Sequence, residues 1–329
     1  MKKLYIKISG FVALFYLFEY ILAALLTAEP STWGRRILNQ MYREKPVTEC
    51  FIGGSQVLQG IDTAIVREYL GDNVISLTSS QQPVTATEAL LRETKREHAE
   101  LSTVYIALDY SLVMAEDVNL ESIYIVADAM KPSLNKVRFL LRATPEEYYL
   151  NSFLPLRKGE NYSFSWNRIC GNLQLYFSKE YRQRATTPGF AANDGMNRGE
   201  YQRLEAKLAA APTVLMEEER EVVIPERSAE AIRGIISFCD ENDMELVFLA
   251  TPMPECLTDS MVNYSKYVEA IKSLIGRDSS SCLYYDFNVG ELAAMIDRAD
   301  SSNFMDEYHL SGDGAAAFTK ALCERLTIQ

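Results

Sequence analysis

Three residues of this sequence have the types and spacing of a serine nucleophile with its base and acid. Ser55 follows two glycines in the run 51–55 (FIGGS), while Asp306 and His309 stand near the C-terminus in the run 304–314 (FMDEYHLSGDG). A serine hydroxyl is a poor nucleophile at neutral pH and requires a base, usually a histidine held in one tautomer by a carboxylate. Residues i and i+3 of a loop can face each other, so Asp306 can bind one imidazole nitrogen while the other nitrogen points to a serine.

The spacing of Asp306 and His309 is weak evidence when it stands alone. On that spacing by itself, Asp306 is an ordinary turn cap and His309 a surface residue. The other histidine of the chain, His98, ends the charged run 92–98 (RETKREH), which is typical of a solvated helix face with i,i+4 pairs. We therefore expect His98 to have no catalytic role, which leaves His309 as the candidate base.

Five short β-prone segments alternate with helical patterns and predict a doubly wound, five-stranded parallel sheet of the α/β class. Each parallel crossover requires a helix, so both faces of such a sheet are covered. Ligands bind at the carboxyl ends of its strands, where the loops with Ser55, Asp109 and His309 would gather. The predicted strands are 48–52, 73–77, 103–108, 245–250 and 283–287.

The helices flanking the candidate residues have readable ends, whereas the middle of the chain does not. Asp62 is a plausible cap for a helix after the Ser55 turn, and Ser311 for a final helix that packs on the sheet. Between about residues 111 and 215 the alternation breaks, which predicts a largely helical insertion rich in Tyr, Phe and Arg. Such an insertion can line a substrate groove or press on a membrane, but its aromatic residues more often pack it onto the host domain.

An apolar run near the N-terminus predicts one transmembrane helix. Residues 8–26 carry a single charge, Glu19, and a helix of about 20 residues crosses a bilayer. The predicted organisation is a cytoplasmic tail at 1–7, an anchor at 8–27, a stalk or N-terminal cover at 28–47 and one domain at 48–329. The positive charges on the two sides nearly balance, and we favour a cytoplasmic N-terminus with the body outside. Glu19 is either a contact for a membrane partner or a tolerated polar residue.

Composition excludes several classes of function. The chain of 329 residues carries a net charge of −12 and lacks clusters of Lys and Arg, which argues against nucleic acid as a partner. Its six cysteines are irregularly spaced without a C-x-x-C pair, so neither a zinc site nor a redox pair is indicated, and free buried thiols are expected. We predict no metal and no cofactor.

Four segments of the chain resemble the sequence blocks of the SGNH (GDSL-like) hydrolases, in the same order along an α/β body. The resemblance spans about residues 48–326 apart from the insertion, and its first and last blocks are the specific ones. It is greatest to members with a single N-terminal span, such as the DltD-like proteins that act beside membrane-bound O-acyltransferases. The segments are 51–62 (FIGGSQVLQGID), 248–253 (FLATPM), 284–287 (YYDF) and 306–311 (DEYHLS).

The resemblance implies a fold, a mechanism and a class of substrate. The fold would be the flavodoxin-like sheet of SGNH hydrolases, with Ser55 as nucleophile, His309 as general base and then acid, and Asp306 as its orienting carboxylate. The chemistry would be ester hydrolysis or acyl transfer through an acyl-serine, and such enzymes require donors for the tetrahedral oxyanion. The implied substrate is an acylated cell-envelope polysaccharide or teichoic-type polymer, and the implied partner is a membrane-bound O-acyltransferase.

The oxyanion donors depart from the family pattern, which uses the serine N–H, a glycine N–H and an asparagine side chain. The loop after the second strand offers Ser80 and Gln81 rather than a glycine, and Asp109 stands where simple members have an asparagine. An acid near an oxyanion opposes catalysis unless it is turned away or protonated. The backbone N–H groups of Ser55 and of Ser80 or Gln81, or the amide of Asn193, are the alternatives.

Two other functions remain open on the sequence. One is a non-catalytic SGNH-like accessory protein that binds a membrane-bound O-acyltransferase or an acyl carrier through its span and insertion, which Glu19 and the missing Gly and Asn blocks motivate. The other is an ordinary esterase for small esters.

Overall fold

A computed structural model gives the fold, and the residues that it describes are 2–26, 32–117, 119–154, 164–182, 186–210, 222–261, 263–278 and 282–327. The expected anchor–stalk boundary at residues 27–28 and the expected end of the insertion near residue 215 lie outside these ranges. Within them the chain forms a five-stranded parallel sheet covered by helices, with one apolar helix at the N-terminus. The predicted fold class is confirmed.

The five strands follow the order β2-β1-β3-β4-β5, and every neighbouring pair is parallel. This is the flavodoxin-like order, whose change of direction beside β1 opens a crevice at the carboxyl edge of the sheet. Each observed strand lies within one residue of its predicted bounds at both ends. The strands are β1 (Glu49–Gly53), β2 (Val74–Thr78), β3 (Thr103–Ala107), β4 (Glu245–Ala250) and β5 (Leu283–Asp286).

Helices connect the strands and also make up most of the described residues between β3 and β4. Three 3₁₀ helices, Glu146–Tyr148, Gly290–Met295 and Ser301–Asn303, complete the described elements. The helices are α1 (Lys2–Leu26), α2 (Thr32–Leu38), α3 (Gln40–Arg43), α4 (Ser55–Gly60), α5 (Thr63–Leu70), α6 (Val84–Glu97), α7 (Tyr110–Val113), α8 (Leu120–Ala129), α9 (Leu134–Ala143), α10 (Tyr149–Phe153), α11 (Trp166–Phe177), α12 (Lys179–Arg182), α13 (Arg198–Ala210), α14 (Glu226–Glu241), α15 (Glu255–Ser260), α16 (Tyr264–Asp278) and α17 (Gly312–Thr327).

Helices bury both faces of the sheet. Successive strand residues point to opposite sides, so each strand contributes side chains to both layers of the core. On one face Ile52 and its neighbours join a core with α6, α14 and α16, and on the other Phe51 stacks on Tyr105 and packs with α5 and α17. The predicted caps also form, since the Asp62 side chain accepts a hydrogen bond from the Ala64 N–H and Ser311 Oγ accepts one from the Gly314 N–H.

The N-terminal region and the insertion pack against each other. Helix α1 is long and apolar enough to cross a membrane, by length and composition. Near its end, the Asn172 side chain on α11 donates hydrogen bonds of 3.0 and 3.1 Å to the carbonyls of Ala24 and Leu25. Residues 32–43, the described start of the predicted stalk or cover, form α2 and α3 and bury Leu38 and Met41 against the domain.

The expected solvated face at residues 92–98 is wrong for three of its members. Glu93, Thr94 and His98 are all fully buried. Glu93 accepts hydrogen bonds from Tyr42 and Arg96, and the His98 imidazole lies 2.9 Å from the carbonyl oxygen of Met41. The N-terminal helices and the insertion cover this side of α6. Helical periodicity in the sequence indicates one buried face, so it does not reveal that this second face is also covered. His98 still lies before β3, at the edge of the sheet opposite to Ser55.

Candidate active site

A glycine turn presents Ser55 at the carboxyl end of β1. A Cβ atom on Gly53 would lie 2.4 Å from Val57 Cγ2, and one on Gly54 would lie 2.5 Å from a Leu112 methyl carbon. Real Cβ atoms do not approach other atoms so closely, so the turn requires glycine at both positions. Because the turn is pressed between α4 and α7, the side chain of Ser55 emerges at a fixed place on the edge of the sheet.

The His309 loop is closed at its base by a short antiparallel bridge. Phe304 pairs with Leu310, and both side chains are buried in the core beneath. The Met305 N–H donates a hydrogen bond of 2.9 Å to the carbonyl of His309. The loop between these anchors is therefore short and fixed, and it holds Asp306 and His309 above the core.

The three predicted residues form a continuous chain of hydrogen bonds. His309 Nε2 lies 2.8 Å from Ser55 Oγ, and His309 Nδ1 lies 2.9 Å from each carboxylate oxygen of Asp306. With the proton on Nδ1, the ring donates to Asp306 and its free Nε2 accepts the hydroxyl proton of Ser55. This is the geometry by which a histidine activates a serine.

Backbone donors also hold the Asp306 carboxylate. Its Oδ1 atom accepts hydrogen bonds of 2.8 Å from the Tyr308 N–H and 2.9 Å from the His309 N–H. Partial burial opposes ionisation, but the hydrogen bonds from the His309 ring and from these two backbone groups outweigh it and lower the pKa of Asp306. The carboxylate is thus ionised and correctly turned to stabilise an imidazolium ion.

The last part of the insertion joins the serine side of the site to the histidine side. The Ala191 N–H donates to the carbonyl of Leu58 on α4 over 2.8 Å, and the Met196 N–H donates to the carbonyl of Phe304 over 2.7 Å. The Gly312 N–H donates to the carbonyl of Asn193 over 2.7 Å. These backbone contacts fix the distance between the two loops that carry the hydrogen-bonded chain.

Three of the predicted oxyanion residues, Ser80, Gln81 and Asn193, have side chains that do not bond to the hydrogen-bonded residues Ser55 and His309 within the described part of the chain. Ser80 is exposed in the loop after β2, and the side-chain oxygen of Gln81 accepts a hydrogen bond from Asn119 of the insertion. Asn193 is exposed, and its amide donates to the carbonyl of Ala191 over 3.3 Å. None of these three side chains forms a hydrogen bond with Ser55 or His309 among the described residues.

Asp109 lies directly beside the serine turn. It is 2% exposed, and its Oδ2 atom lies 3.0 Å from the place where a Cβ on Gly54 would stand. Neither of its carboxyl oxygens has a hydrogen-bond partner within the described part of the chain. Burial raises the pKa of Asp109 to about 7, and the nearby imidazole of His309 opposes this shift.

The sequence did not identify Gln82, whose backbone N is 3.8 Å from the same place beside Gly54. Gln81 has a positive φ of 49°, a left-handed conformation that turns the chain just before Gln82. The Gln82 side chain is buried and bonds to Ser79 and Thr87, which fixes the loop. The left-handed residue and these local side-chain hydrogen bonds place the backbone nitrogen of Gln82 beside the glycine turn, and they leave no motif in the sequence.

The described residues contain no group of three or more His, Cys, Asp or Glu side chains that could hold a metal ion. Each of the six cysteines is a free thiol, and Cys50, Cys239 and Cys323 are buried. Ser55, His309, Asp306 and Asp109 are the reactive side chains that the structure brings to the carboxyl edge of the sheet.

No model of a known protein family matches this chain, and no curated protein matches it. Among solved structures, it is similar to a Streptococcus pneumoniae protein provisionally described as a platelet activating factor, with 10% identity, a TM-score of 0.41, and coverage of 96% of this chain and 99% of the other. It is also similar to a Bacteroides fragilis protein provisionally described as an acylhydrolase, with 8% identity, a TM-score of 0.39, and coverage of 92% and 99%. Both similarities are remote.

Proposed function

We propose that this chain is a serine esterase or O-acyltransferase of the SGNH type, which acts through an acyl-serine intermediate. The observation that carries the proposal is the hydrogen-bonded chain from Ser55 Oγ through His309 to Asp306, with 2.8 Å between the serine oxygen and the imidazole. In the first step Ser55 Oγ attacks the acyl carbon while its proton passes to His309 Nε2. Asp306 stabilises the imidazolium ion that forms.

The second half of the reaction follows from the same groups. The tetrahedral intermediate expels the leaving oxygen, which takes the proton from His309, and the acyl group remains on Ser55. The neutral imidazole then removes a proton from water or from an acceptor hydroxyl, whose oxygen attacks the acyl-serine. The second tetrahedral intermediate breaks its bond to Ser55 Oγ, which takes the proton back from His309 and restores the free enzyme. Water as acceptor gives hydrolysis, and a sugar or polyol hydroxyl gives transfer.

We propose an acylated cell-envelope polysaccharide or teichoic-type polymer as the substrate, outside the cytoplasm. The single N-terminal apolar helix supports a site that stays close to a membrane. Ser55 and the His309 side chain are partly exposed, and the Asp306 side chain is 40% exposed, so a bulky polymer can approach the reactive atoms. A membrane-bound O-acyltransferase is the partner that fits such a reaction.

Fluorophosphonate labelling tests the proposed chemistry, since these probes react with activated serines. In the full-length protein, kept in detergent micelles, we expect a fluorophosphonate to label Ser55 with loss of fluoride. Ser55→Ala and His309→Ala should abolish labelling while the thermal midpoint stays nearly unchanged, because both side chains lie at a partly exposed edge. Ser237→Ala, which removes an exposed hydroxyl on α14, is the matched control and should label like the wild type.

A folded wild-type protein that resists the probe at every pH would contradict the proposal. The non-catalytic accessory function gives a different result in cells: Ser55→Ala would then support normal acylation of the envelope, whereas exchange of α1 for an unrelated span would abolish it. Rapid turnover of short p-nitrophenyl esters, with no effect of the protein on envelope polymers, would instead indicate an esterase for small esters.

A further inference from the structure

The carboxyl group of Asp109 is buried without a hydrogen bond. It is 2% exposed, and both of its oxygens are buried and unpartnered within the described residues. An ionised carboxylate in such a place carries a desolvation cost that no hydrogen bond offsets, so the neutral acid is the favoured form. A neutral carboxylic acid has one O–H donor, and in a buried site that donor needs an acceptor.

The Asp109 carboxyl group lies beside the turn that leads to Ser55. Asp109 Oδ2 lies 3.0 Å from the place of a Cβ on Gly54, whose peptide bond leads directly to Ser55. A Leu112 methyl carbon lies 2.5 Å from the same place, and the backbone N of Gln82 lies 3.8 Å from it. The unpaired acid and this backbone nitrogen therefore lie beside the glycine turn that leads to the nucleophile.

We propose that Asp109, as a neutral carboxylic acid, donates a hydrogen bond to the oxyanion that forms when Ser55 attacks an acyl carbonyl. This inference rests on the proposed function. As the bond from Ser55 Oγ to the acyl carbon forms, the serine proton moves to His309 and the carbonyl π electrons move to the oxygen. That oxygen accepts the O–H of Asp109, which keeps its proton throughout, and the hydrogen bond is released when the carbonyl re-forms.

The groups that face Asp109 determine how the donor depends on pH. They are His309 from the loop before α17 and Tyr267 from α16. Of these two residues, only His309 can become positively charged. Its charge favours an ionised Asp109, but burial keeps the pKa of Asp109 at about 7. Below that pH the donor is present. Above it, the donor is lost and a negative charge stands where the oxyanion must form.

The pH dependence of Ser55 phosphonylation tests this inference, with the full-length protein in detergent and a fluorophosphonate as the probe. In the wild type, the second-order rate constant should fall as the pH rises above about 7. Asp109→Asn keeps the size of the side chain and an N–H donor at every pH, so it should label at a similar rate at pH 6 and lose the alkaline decline. Asp109→Ala should label about 10²- to 10³-fold more slowly at all pH values, as expected for loss of one oxyanion donor.

Asp286→Asn is the matched control, because Asp286 is another buried acid at the carboxyl end of a strand. Its oxygens accept hydrogen bonds from Tyr264, Tyr284 and Asn288, so it is not unpaired, and this variant should keep the alkaline decline. An unchanged alkaline decline in Asp109→Asn, or wild-type rates in Asp109→Ala, overturns the role of Asp109 and leaves the proposed function standing. Absence of any labelling in the folded wild type overturns both.

Discussion

The substitution Asp109→Asn keeps the shape of the side chain but removes its titration. The free energy of unfolding should therefore depend on pH differently in this variant and in the wild type. The carboxyl group of Asp109 has an ordinary pKa of 3.8 in an unfolded chain and a pKa of about 7 in the fold, because it is buried. Between these values the unfolded chain has lost a proton that the folded protein retains. The unfolded state then binds fewer protons, so the free energy of unfolding of the wild type falls as the pH rises.

The size of the effect follows from the same two values. Each pH unit between them is worth about 1.4 kcal/mol, and between pH 5 and the folded pKa of about 7 the wild type loses about 3 kcal/mol that Asp109→Asn does not lose. Above that pKa both states are ionised and the difference stays constant. For a chain of this size, about 3 kcal/mol corresponds to a shift of roughly 5 °C in the thermal midpoint.

Thermal unfolding in detergent micelles, followed by circular dichroism at pH values from 5 to 8, measures this difference. The midpoint of Asp109→Asn relative to the wild type should rise by about 5 °C across the range, most of it below pH 7. Asp72→Asn, the same substitution at an exposed carboxylate, should show a constant offset. An offset that is equal at pH 5 and pH 8 for Asp109→Asn would refute a neutral, buried carboxyl group at this position.

Two further substitutions test the geometry around the hydrogen-bonded chain. Asp306→Asn should lower the rate of labelling or turnover by about 10⁴-fold, because an amide favours the wrong imidazole tautomer. Its thermal midpoint should change little, since the amide oxygen can still accept hydrogen bonds from the Tyr308 and His309 N–H groups. Retained activity would contradict the role of Asp306. Gly54→Ala brings a methyl group within 2.5 Å of Leu112 and 3.0 Å of Asp109, so we expect a loss of about 1–3 kcal/mol in stability and at least a tenfold drop in labelling. Wild-type labelling of Gly54→Ala would show that the turn is less confined than these distances indicate.

The sheet could be predicted because parallel strands buried on both faces are continuous apolar runs bounded by polar or glycine residues. Such a run appears in the sequence without knowledge of its partners, as in the run VFLA at residues 247–250. The strands β1 and β3 then place the Ser55 turn and Asp109 side by side, since neighbouring parallel strands end at the same edge. The relation between these two residues follows from the topology once the five strands are known.

The insertion could not be predicted in detail because its helices are defined by their packing partners. Asn172 is polar by type, yet it is buried against the last carbonyls of α1, and Glu93 is buried beneath Tyr42 and Asn135. Helical periodicity indicates one apolar face, whereas α6 packs on the sheet with one face and under the N-terminal helices and the insertion with another. The same limit applies to Gln82, which a left-handed turn at Gln81 brings to the site.

Two aspartates of the site have opposite environments, and the contrast assigns their roles in the proposed reaction. For Asp306, partial burial is outweighed by hydrogen bonds from the His309 ring and two backbone N–H groups, so its pKa is lowered and it is a permanent acceptor. For Asp109, burial acts with no hydrogen bond to oppose it, so its pKa rises to about 7 and it is a donor in neutral and acidic solution. Titratable groups of one type whose pKa values are driven apart take different parts in catalysis. In the proposed reaction, Asp306 stabilises the positive charge that develops on His309, while Asp109 stabilises the negative charge that develops on the substrate oxygen.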